Sequence, residues 1–272
     1  MQNLFDLTGK VAVITGGTGV LGSELSQGLA SAGAKVVVIG RGAAKKDQVV
    51  ADITAHGGQA SGILCDVLDR ENLLRARAEI LDQYGTIDIL INGAGGNRKS
   101  ATTSPDLSFF DLPETDLDAV MRLNFMGTLL PSQIFGEVFA EKKAGVILNI
   151  SSMASLQPLT NVVGYAAAKA AVNNLTQWLA VHFNKHYSPN IRVNAMAPGF
   201  FLTEQNRSLL TNEQTGELTA RGRTILEHTP MDRFGEPSDL VGTAIWLVSE
   251  ASRFVTGIVV PVDGGFSSFG GV

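Results

Sequence analysis

Seven short apolar runs rich in Val and Ile recur along the chain and predict the strands of a sheet. In chain order they read KVAVIT, KVVVIG, GILC, IDILIN, GVILNI, RVNAMA and IVVPV. Because each run is continuously apolar rather than alternating, both faces of each strand should be buried, as in a parallel sheet. Helical patterns fill most of the intervals, for example residues 22–32, 70–84, 117–141 and 165–186. This alternation predicts an α/β fold with a doubly wound, parallel, seven-stranded sheet and helices on both faces.

The 272 residues are expected to form one domain, because no linker, composition shift or internal repeat divides them. The longest interval without a strand, at about 200–239, is mixed and polar, with helical potential at 211–228. A segment of this length outside a sheet is usually a substrate loop or a lid. We therefore expect this interval to cover the substrate.

Composition narrows the range of functions. The net charge of −5 argues against a nucleic-acid surface, which normally shows clustered Lys and Arg. No run approaches the length of a membrane span, and the N-terminus lacks the pattern of a signal peptide, so a cytoplasmic location is expected. Cys65 is the only cysteine, which leaves no intrachain disulfide. His182 and His186 lack a nearby third ligand, so no metal site is expected.

The first strand runs into the glycine-rich turn TGGTGVLG at 15–22, which opens a helical segment. A strand, such a turn and a helix place backbone N–H groups and a positive helix end where a pyrophosphate can bind. A glycine cluster alone also occurs in structural turns, but the flanking strand and helix favour a nucleotide. The second strand ends in Gly40 and Arg41 without a carboxylate. Arg suits a 2′-phosphate, which favours NADP(H) over NAD(H), although it can also stack on adenine or lie in solvent.

A second set of residues indicates proton transfer. Tyr165 and Lys169 are four residues apart, so on a helix they share a face, and the ammonium can influence the phenol. Ser151 and Ser152 follow the strand GVILNI, at the end where open α/β sheets bind ligands. Asn124 lies within the apolar helical stretch MRLNFMG. A buried amide needs partners, so it either bends the helix or holds a catalytic water.

Together these residues resemble the short-chain dehydrogenase/reductases over nearly the whole chain. The resemblance rests on the turn at 15–22, Asp66-Val67, NGAG at 92–95, Asn124, Ser152, the YxxxK pair and Pro198-Gly199. The separation of Ser152 and Tyr165, 165 − 152 = 13, is the one the family uses. The resemblance implies a Rossmann-type fold in which Tyr165 is the general acid/base. It also implies that Lys169 lowers the pKa of Tyr165 and holds the nicotinamide ribose, that Ser152 polarises the substrate carbonyl, and that Asn124 anchors a relay water.

The resemblance also implies a set of cofactor contacts at the strand ends and the turns that follow them. In chain order the set is Gly16, Thr18, Gly19, Val20, Leu21, Gly22, Arg41, Asp66, Val67, Asn92, Ala94, Gly95, Tyr165, Lys169, Pro198, Gly199, Phe201 and Thr203. Adenine should lie beside Asp66 and Val67. One departure is that Val20 stands where the family turn TGxxxGxG has a glycine, so the backbone at 18–21 is expected to be slightly rerouted.

The runs NGAGGN and PGFFLTEQNR resemble the sugar-acid branch of the family, the D-mannonate oxidoreductases or fructuronate reductases. A carboxylated polyol needs a basic fork and amides. The implied substrate-binding residues are Asn97, Arg98, Ser152, Gln157, Gln205, Asn206 and Arg207, with Arg221 or Arg223 closing over them. Solvated loop residues are the alternative for each Arg. A 3-oxoacyl or other carbonyl reductase, and a non-catalytic dinucleotide-binding redox sensor, are the alternative functions.

The helical segments 117–141 and 165–186 carry broader apolar faces than a sheet can cover. The apolar residues on these faces are Phe125, Leu129, Phe135, Leu175, Trp178 and Leu179. The resemblance implies a dimer through these helices, doubled into a homotetramer by the C-terminal strand region. The expected partners are a small-molecule substrate and further copies of the chain.

Overall fold

A computed structural model describes residues 3–203, 207–212 and 215–271. Its seven strands are β1 Val11–Thr15, β2 Lys35–Gly40, β3 Gln59–Leu64, β4 Ile89–Asn92, β5 Gly145–Ile150, β6 Ile191–Pro198 and β7 Val259–Val262. All pairings are parallel, and the sheet order is β3-β2-β1-β4-β5-β6-β7. The predicted seven-stranded parallel sheet is therefore confirmed, with one strand at each of the seven apolar runs.

The order of the strands reverses at β1, which pairs with β2 on one side and with β4 on the other. Thr15, the last residue of β1, lies opposite Ile39 of β2 and Asn92 of β4. The chain leaves β1 and β4 in different directions from this point, which opens a crevice at the carboxyl ends of the strands. The predicted nucleotide turn begins at this crevice, directly after Thr15.

Helices cover both faces of the sheet. They are α1 Val20–Ser31, α2 Ala43–Ala55, α3 Arg70–Tyr84, α4 Glu114–Met121, α5 Gly127–Lys142, α6 Val163–His186, α7 Arg207–Leu210, α8 Ala220–Glu227 and α9 Val241–Val248. One apolar core joins the sheet to α3, α5 and α6, and the other joins it to α1, α2 and α9. Phe135 and Phe139 are fully buried in the first core, where each contributes about 2–3 kcal/mol by burial.

The sequence pattern predicts a single helix over 117–141, and the structure interrupts it. After α4, residues Arg122–Met126 form a π-helical turn, and α5 follows. The side chain of Asn124 donates to the Val120 carbonyl at 2.8 Å and so competes with the regular backbone bonds. Pro131, inside α5, has no N–H with which to bond the preceding turn. Of the two alternatives for Asn124, local helix distortion is the one visible in the backbone.

The described residues of region 200–239 contain less helix than the sequence suggests. Of the predicted helix at 211–228, the residues that the structure describes form only α8, where Thr219 caps the N-terminus by accepting the Gly222 N–H at 3.0 Å. Thr211 instead forms an isolated antiparallel bridge to Leu218. A Cβ on Gly222 would lie 2.2 Å from the Leu210 carbonyl oxygen, so only glycine allows α7 and α8 to approach so closely. Gln205 and Asn206 lie outside the described residues.

The sequence leads us to expect neither a membrane span nor a metal site. Within the described part of the chain, none of the helices combines the length and the apolar character that a membrane-spanning segment needs. The same residues include no group of three His, Cys, Asp or Glu side chains placed to hold a metal ion. Cys65 is buried and unpaired by a disulfide, and burial raises the pKa of its thiol to about 11.

Candidate active site

Tyr165, Lys169 and Ser152 meet at the carboxyl end of β5. The first two lie one turn apart in α6, and Ser152 follows the last residue of β5 by two positions. The Lys169 Nζ lies 5.7 Å from the centroid of the Tyr165 ring and donates to the Ile150 carbonyl at 2.7 Å. Ser152 lies beside Tyr165 and acts to lower the pKa of its phenol. The arrangement places a phenol, a hydroxyl and a buried ammonium around one point.

Burial dominates the electrostatics of this group. It raises the pKa of the Tyr165 phenol above its usual 10.0, and the hydrogen bond with Ser152 offsets only part of that rise. Burial also lowers the pKa of Lys169 from 10.5 to about 8. The pKa of Tyr165 is therefore raised, whereas the family resemblance implies that Lys169 lowers it. In the protein alone, the cost of burying a phenolate exceeds the stabilisation that its neighbours supply.

The neighbouring Ser151 is turned into the protein. Its Oγ donates to Asn173 Oδ1 at 2.5 Å and lies 3.1 Å from Ser155 Oγ. Its backbone N–H continues the sheet by donating to the Met196 carbonyl at 2.8 Å. Of the two adjacent serines, Ser152 is therefore the one beside Tyr165, as the spacing of 13 residues predicts.

Asn124 is fully buried and joins the loop after β4 to the π-helical turn. Its Nδ2 donates to the Gly96 carbonyl at 2.7 Å as well as to Val120, and its Oδ1 accepts the Gly96 N–H at 3.1 Å. A Cβ on Gly95 would lie 2.6 Å from Asn124 Oδ1 and 3.2 Å from Lys169 Nζ. Both amide hydrogens of Asn124 are thus occupied by backbone carbonyls. A relay water could be held here only through an oxygen atom.

A cleft with a volume of about 300 Å³ opens at the crevice between β1 and β4. It brings together most of the residues predicted to contact the adenosine half of a dinucleotide, namely Gly16, Thr18, Gly19, Val20, Arg41, Asp66, Val67, Ala94 and Gly95. Lys45 also lines this cleft, and sequence analysis missed it. The available signal was its position in the first turn of α2, the helix that follows Arg41.

The glycines of this cleft fit a dinucleotide. Gly16 has φ +66°, and a Cβ there would lie 2.6 Å from the Gly93 carbonyl oxygen. A Cβ on Gly22 would lie 2.2 Å from the Gly16 carbonyl oxygen, so the start of α1 packs directly on the turn. Helix α1 begins at Val20 with Gly19 as its N-cap, so Val20 does not prevent a regular first turn. The N–H groups at the start of this helix have no acceptors inside it and suit a pyrophosphate.

Several residues of the predicted cofactor set lie away from the cleft lining. Asn92 is buried, and its Nδ2 donates to Ser132 Oγ at 2.9 Å and Asn149 Oδ1 at 2.8 Å. Its side chain therefore joins β4 to α5 and β5. Leu21 packs on the apolar core beneath α1. Phe201 is 5% exposed and packs on Gly235, where a Cβ would meet its ring at 2.7 Å.

The remaining members of that set lie at and beyond the end of β6. Pro198 is the last residue of that strand and is buried. Gly199 is in close contact with Asp263, whose Cβ would be 2.6 Å from a Cβ at position 199. Thr203 is partly buried at the start of the region expected to cover the substrate.

The predicted substrate residues of loops that the structure describes are exposed or already bonded within the protein. Arg98 Nη1 lies 3.3 Å from Asp116 Oδ1, and Asn97 Nδ2 donates to Thr102 Oγ1 at 2.9 Å. Gln157 Nε2 donates to the Ser267 carbonyl at 2.6 Å, which ties the loop after β5 to the C-terminal segment. Arg207 is exposed at the start of α7.

Of the two arginines expected to close over the substrate, Arg223 donates from Nη1 to the Leu218 carbonyl at 2.9 Å. Arg221 is exposed in the first turn of α8. The structure therefore does not gather these arginines into one preformed basic fork.

Comparison with known proteins agrees with the fold and the clustered motifs. A family model for short chain dehydrogenases matches residues 10–214. The chain belongs to the short-chain dehydrogenase family. It is an NAD(P)-dependent oxidoreductase of that family, and its fold is of the Rossmann type.

Relatives match this short-chain dehydrogenase over almost its whole length. An uncharacterized oxidoreductase, UxuB, of Bacillus subtilis (strain 168) is 50% identical and covers 98% of both chains. The crystal structure of a candidate D-mannonate oxidoreductase from Haemophilus influenza, with bound NAD, is 43% identical, with a TM-score of 0.92 and 98% coverage of both chains. Two Escherichia coli (strain K12) proteins are each 34% identical: 5-keto-D-gluconate 5-reductase, over 97% of this chain and 98% of its own, and 7alpha-hydroxysteroid dehydrogenase, over 95% and 94%.

Proposed function

We propose that this short-chain dehydrogenase interconverts a secondary alcohol and a ketone on a sugar acid, of the D-mannonate and D-fructuronate type. The observation that carries the proposal is the similarity to the candidate D-mannonate oxidoreductase, at 43% identity over 98% of the chain. Relatives at 34% identity act on a gluconate derivative and on a steroid, so at that distance similarity does not separate the two substrate classes. The more similar structure favours the sugar acid.

The proposed chemistry uses the three groups at the end of β5. A nicotinamide ring, when bound, supplies the hydride acceptor or donor. Tyr165 exchanges the proton of the substrate oxygen, and Ser152 donates a hydrogen bond to that oxygen as it gains or loses negative charge. Lys169, at 5.7 Å from the Tyr165 ring, favours the phenolate by its charge. Asn124 holds the loop that carries Gly95 against Lys169.

The raised pKa of Tyr165 bears on the direction of the reaction. A phenol with a raised pKa is protonated at neutral pH and can serve as the acid in ketone reduction. Alcohol oxidation needs the phenolate, so its rate should increase with pH over the range in which Tyr165 loses its proton.

Substrate recognition is proposed to involve Asn97, Arg98, Gln157 and Arg207, together with Gln205 and Asn206. A carboxylate could take the place of Asp116 as the partner of Arg98, because their ion pair is half-exposed and worth little in water. Among the described residues, Gln157 donates from Nε2 to the C-terminal segment, and its Oε1 is proposed to accept a hydrogen bond from a substrate hydroxyl. Region 200–239 is proposed to cover the substrate as part of the same single domain.

NADP(H) is the proposed cofactor of choice. Arg41 and Lys45 line the adenosine cleft together, and β2 ends without a carboxylate that would bind a ribose 2′-hydroxyl. Among the described residues that line the cleft, Asp66 is the only acid. Two cations favour a 2′-phosphate, although the Haemophilus protein holds NAD.

A cytoplasmic homotetramer is proposed as the assembly. Trp178 and Val181 on α6 are 57% and 63% exposed, which is a large apolar area for one helix face. Phe254, shortly before β7, is fully exposed. Two separate apolar areas suit a dimer formed through α5 and α6 and doubled through the region of β7. Sedimentation as a monomer at micromolar concentration would contradict this assembly.

The decisive experiment is a substrate panel assayed in both directions with NADH, NADPH and their oxidised forms. The panel contains hexonates, hexuronates, a 7α-hydroxysteroid and an acetoacetyl thioester. We expect turnover of D-fructuronate and D-mannonate, or of a close hexonate, with the phosphorylated cofactor preferred. Ready turnover of the thioester or the steroid, with none of the sugar acids, would overturn the assignment.

A further inference from the structure

Asn173 lies on the same face of α6 as the two proposed catalytic residues of that helix. It follows Lys169 by one turn and Tyr165 by two, and the i, i+4, i+8 spacing aligns the three side chains. The proposed catalytic chemistry gives Asn173 no role. Its carboxamide accepts a hydrogen bond from Ser151 Oγ at 2.5 Å and donates one from Nδ2 to Ser155 Oγ at 2.7 Å.

The hydrogen bonds continue from Ser155 to the backbone of Ser152. Ser155 Oγ donates to the Ser152 carbonyl at 2.5 Å, and the Ser155 N–H donates to the same oxygen at 3.0 Å. These bonds close the 3₁₀ turn Met153–Ser155, for which Ser152 is the N-cap. Ser152 Oγ accepts the Ala154 N–H at 3.2 Å, and the same side chain lies beside Tyr165 and acts to lower its pKa. The direction of the Ser152 side chain therefore depends on a turn that Ser155 holds.

An amide at position 173 matches the hydrogen-bonding needs of both serine hydroxyls. Each serine hydroxyl has one hydrogen to donate. The Ser155 hydrogen is committed to the Ser152 carbonyl, so the partner of Ser155 must be a donor, while Ser151 needs an acceptor. An amide satisfies both needs at once, whereas a carboxylate cannot donate and an alanine does neither.

We propose that Asn173 is a positioning residue that acts through Ser155 and the Ser152 backbone to hold the Ser152 hydroxyl beside Tyr165. The proposal rests on the proposed role of Ser152 in polarising the substrate carbonyl. Its effect should appear in the chemical step rather than in cofactor binding. The hydrogen bonds that join Asn173, Ser151, Ser155 and Ser152 include none to the described residues that line the adenosine cleft.

The first test is Asn173→Ala, with Asn174→Ala as its control. Asn174 is the next residue of the same helix and is exposed, so its variant reports on the loss of an amide without the bonds to the serines. We expect Asn173→Ala to lower kcat about tenfold or more, because small displacements of a catalytic group have effects of this size. NAD(P)H affinity, followed by fluorescence, and the kcat of Asn174→Ala should not change. An unchanged kcat in Asn173→Ala would overturn the proposal.

A double-mutant cycle with Ser152→Ala separates a positioning role from a general structural one. Ser152→Ala alone should lower kcat about 10²-fold to 10³-fold. Adding Asn173→Ala to it should cost less than about twofold more, since the group that Asn173 positions is already absent. If Asn173→Ala lowered kcat equally in the wild type and in Ser152→Ala, the positioning role of Asn173 would be overturned and that of Ser152 would stand. A Ser152→Ala variant with wild-type kcat would instead overturn the proposed role of Ser152, and that of Asn173 with it.

Ser155 provides an independent pair of variants should Asn173→Ala not fold. Ser155→Ala removes the hydroxyl that connects Asn173 to the Ser152 carbonyl, and it changes the side-chain volume less than Asn173→Ala does. Its kcat should fall about as far as that of Asn173→Ala. Ser155→Thr keeps the hydroxyl and should restore most of the activity. Wild-type kcat in Ser155→Ala would contradict the proposal that Asn173 acts on Ser152 through Ser155.

Discussion

The carboxamide of Asn124 bonds to Gly96 in both directions, donating to its carbonyl at 2.7 Å and accepting from its N–H at 3.1 Å. A buried side chain thereby fixes the loop that leaves β4. The same contact holds Gly95 near Lys169, so the loop and the catalytic helix are joined by one amide.

Asn124→Ala should therefore cost stability as well as activity. It leaves the Gly96 and Val120 backbone groups without their partner, and we expect the free energy of unfolding to fall by about 3 kcal/mol. Asn97→Ala in the same loop is the control, because its exposed amide bonds only to Thr102 among the described residues and should cost less than about 0.5 kcal/mol. Urea unfolding of both variants measures the difference. Equal effects would show that the loop does not depend on Asn124.

The lowered pKa of Lys169 predicts a specific dependence of stability on pH. Because its pKa is about 8 in the folded protein and near 10.5 when unfolded, the unfolded state binds more protons between these values. The wild type should gain stability relative to Lys169→Met as the pH rises from about 8 toward 10. The raised pKa of Tyr165 acts only above about pH 10, where it opposes folding.

Unfolding of the wild type and Lys169→Met by urea at pH 7, 8, 9 and 10 tests this. The full effect of burying the charge is roughly 3 kcal/mol, from about 2.5 pKa units at 1.36 kcal/mol each. A difference between the two proteins that stays constant with pH would mean that Lys169 keeps an ordinary pKa when folded.

The glycine turn offers a matched pair of substitutions. Gly16→Ala introduces a Cβ at 2.6 Å from the Gly93 oxygen in a backbone with φ +66°. Gly42→Ala lies near the same cleft, but its Cβ would meet none of the described atoms within 4 Å. We expect Gly16→Ala to lose about 1–3 kcal/mol of stability, the cost of a strained backbone, and most of its NAD(P)H affinity. Gly42→Ala should retain both, and fluorescence titration with thermal unfolding would show any exception.

The two cations of the adenosine cleft can be tested through cofactor preference. Arg41→Ala and Lys45→Ala should each raise the KM for NADPH about tenfold, with a much smaller effect on NADH, since only NADPH carries a 2′-phosphate. Lys10→Ala is the control, because Lys10 directly precedes β1 and so lies at the opposite end of that strand from the glycine turn. Equal changes in both KM values would mean that these cations do not read the phosphate.

The sequence was most informative where the pattern is local. Continuous apolar runs predict strands buried on both faces, and all seven runs lie in strands of one parallel sheet. The spacing of Tyr165 and Lys169 and the strand before Ser152 also place the three side chains at one point, because helix and strand geometry fix those relations.

Relations that depend on packing between distant segments could not be read in this way. The pattern around Asn124 does not reveal that Gly96 takes both sides of its amide, and the position of Asn92 in a strand-end motif does not reveal that its side chain turns inward to Ser132 and Asn149. The charge of Arg98 likewise says nothing about its pairing with Asp116.

The stretch 151–169 by itself determined that Ser152, Tyr165 and Lys169 share a site. Backbone periodicity fixes which residues lie on one face of a helix and which follow the end of a strand. Only the tertiary structure decided their protonation and support. Burial raises the pKa of Tyr165 although a cation lies close to its ring, and the turn that carries Ser152 is held by Asn173 from the next turn of the helix. Desolvation and hydrogen-bond partners arise from segments that meet only on folding, and no local pattern encodes them.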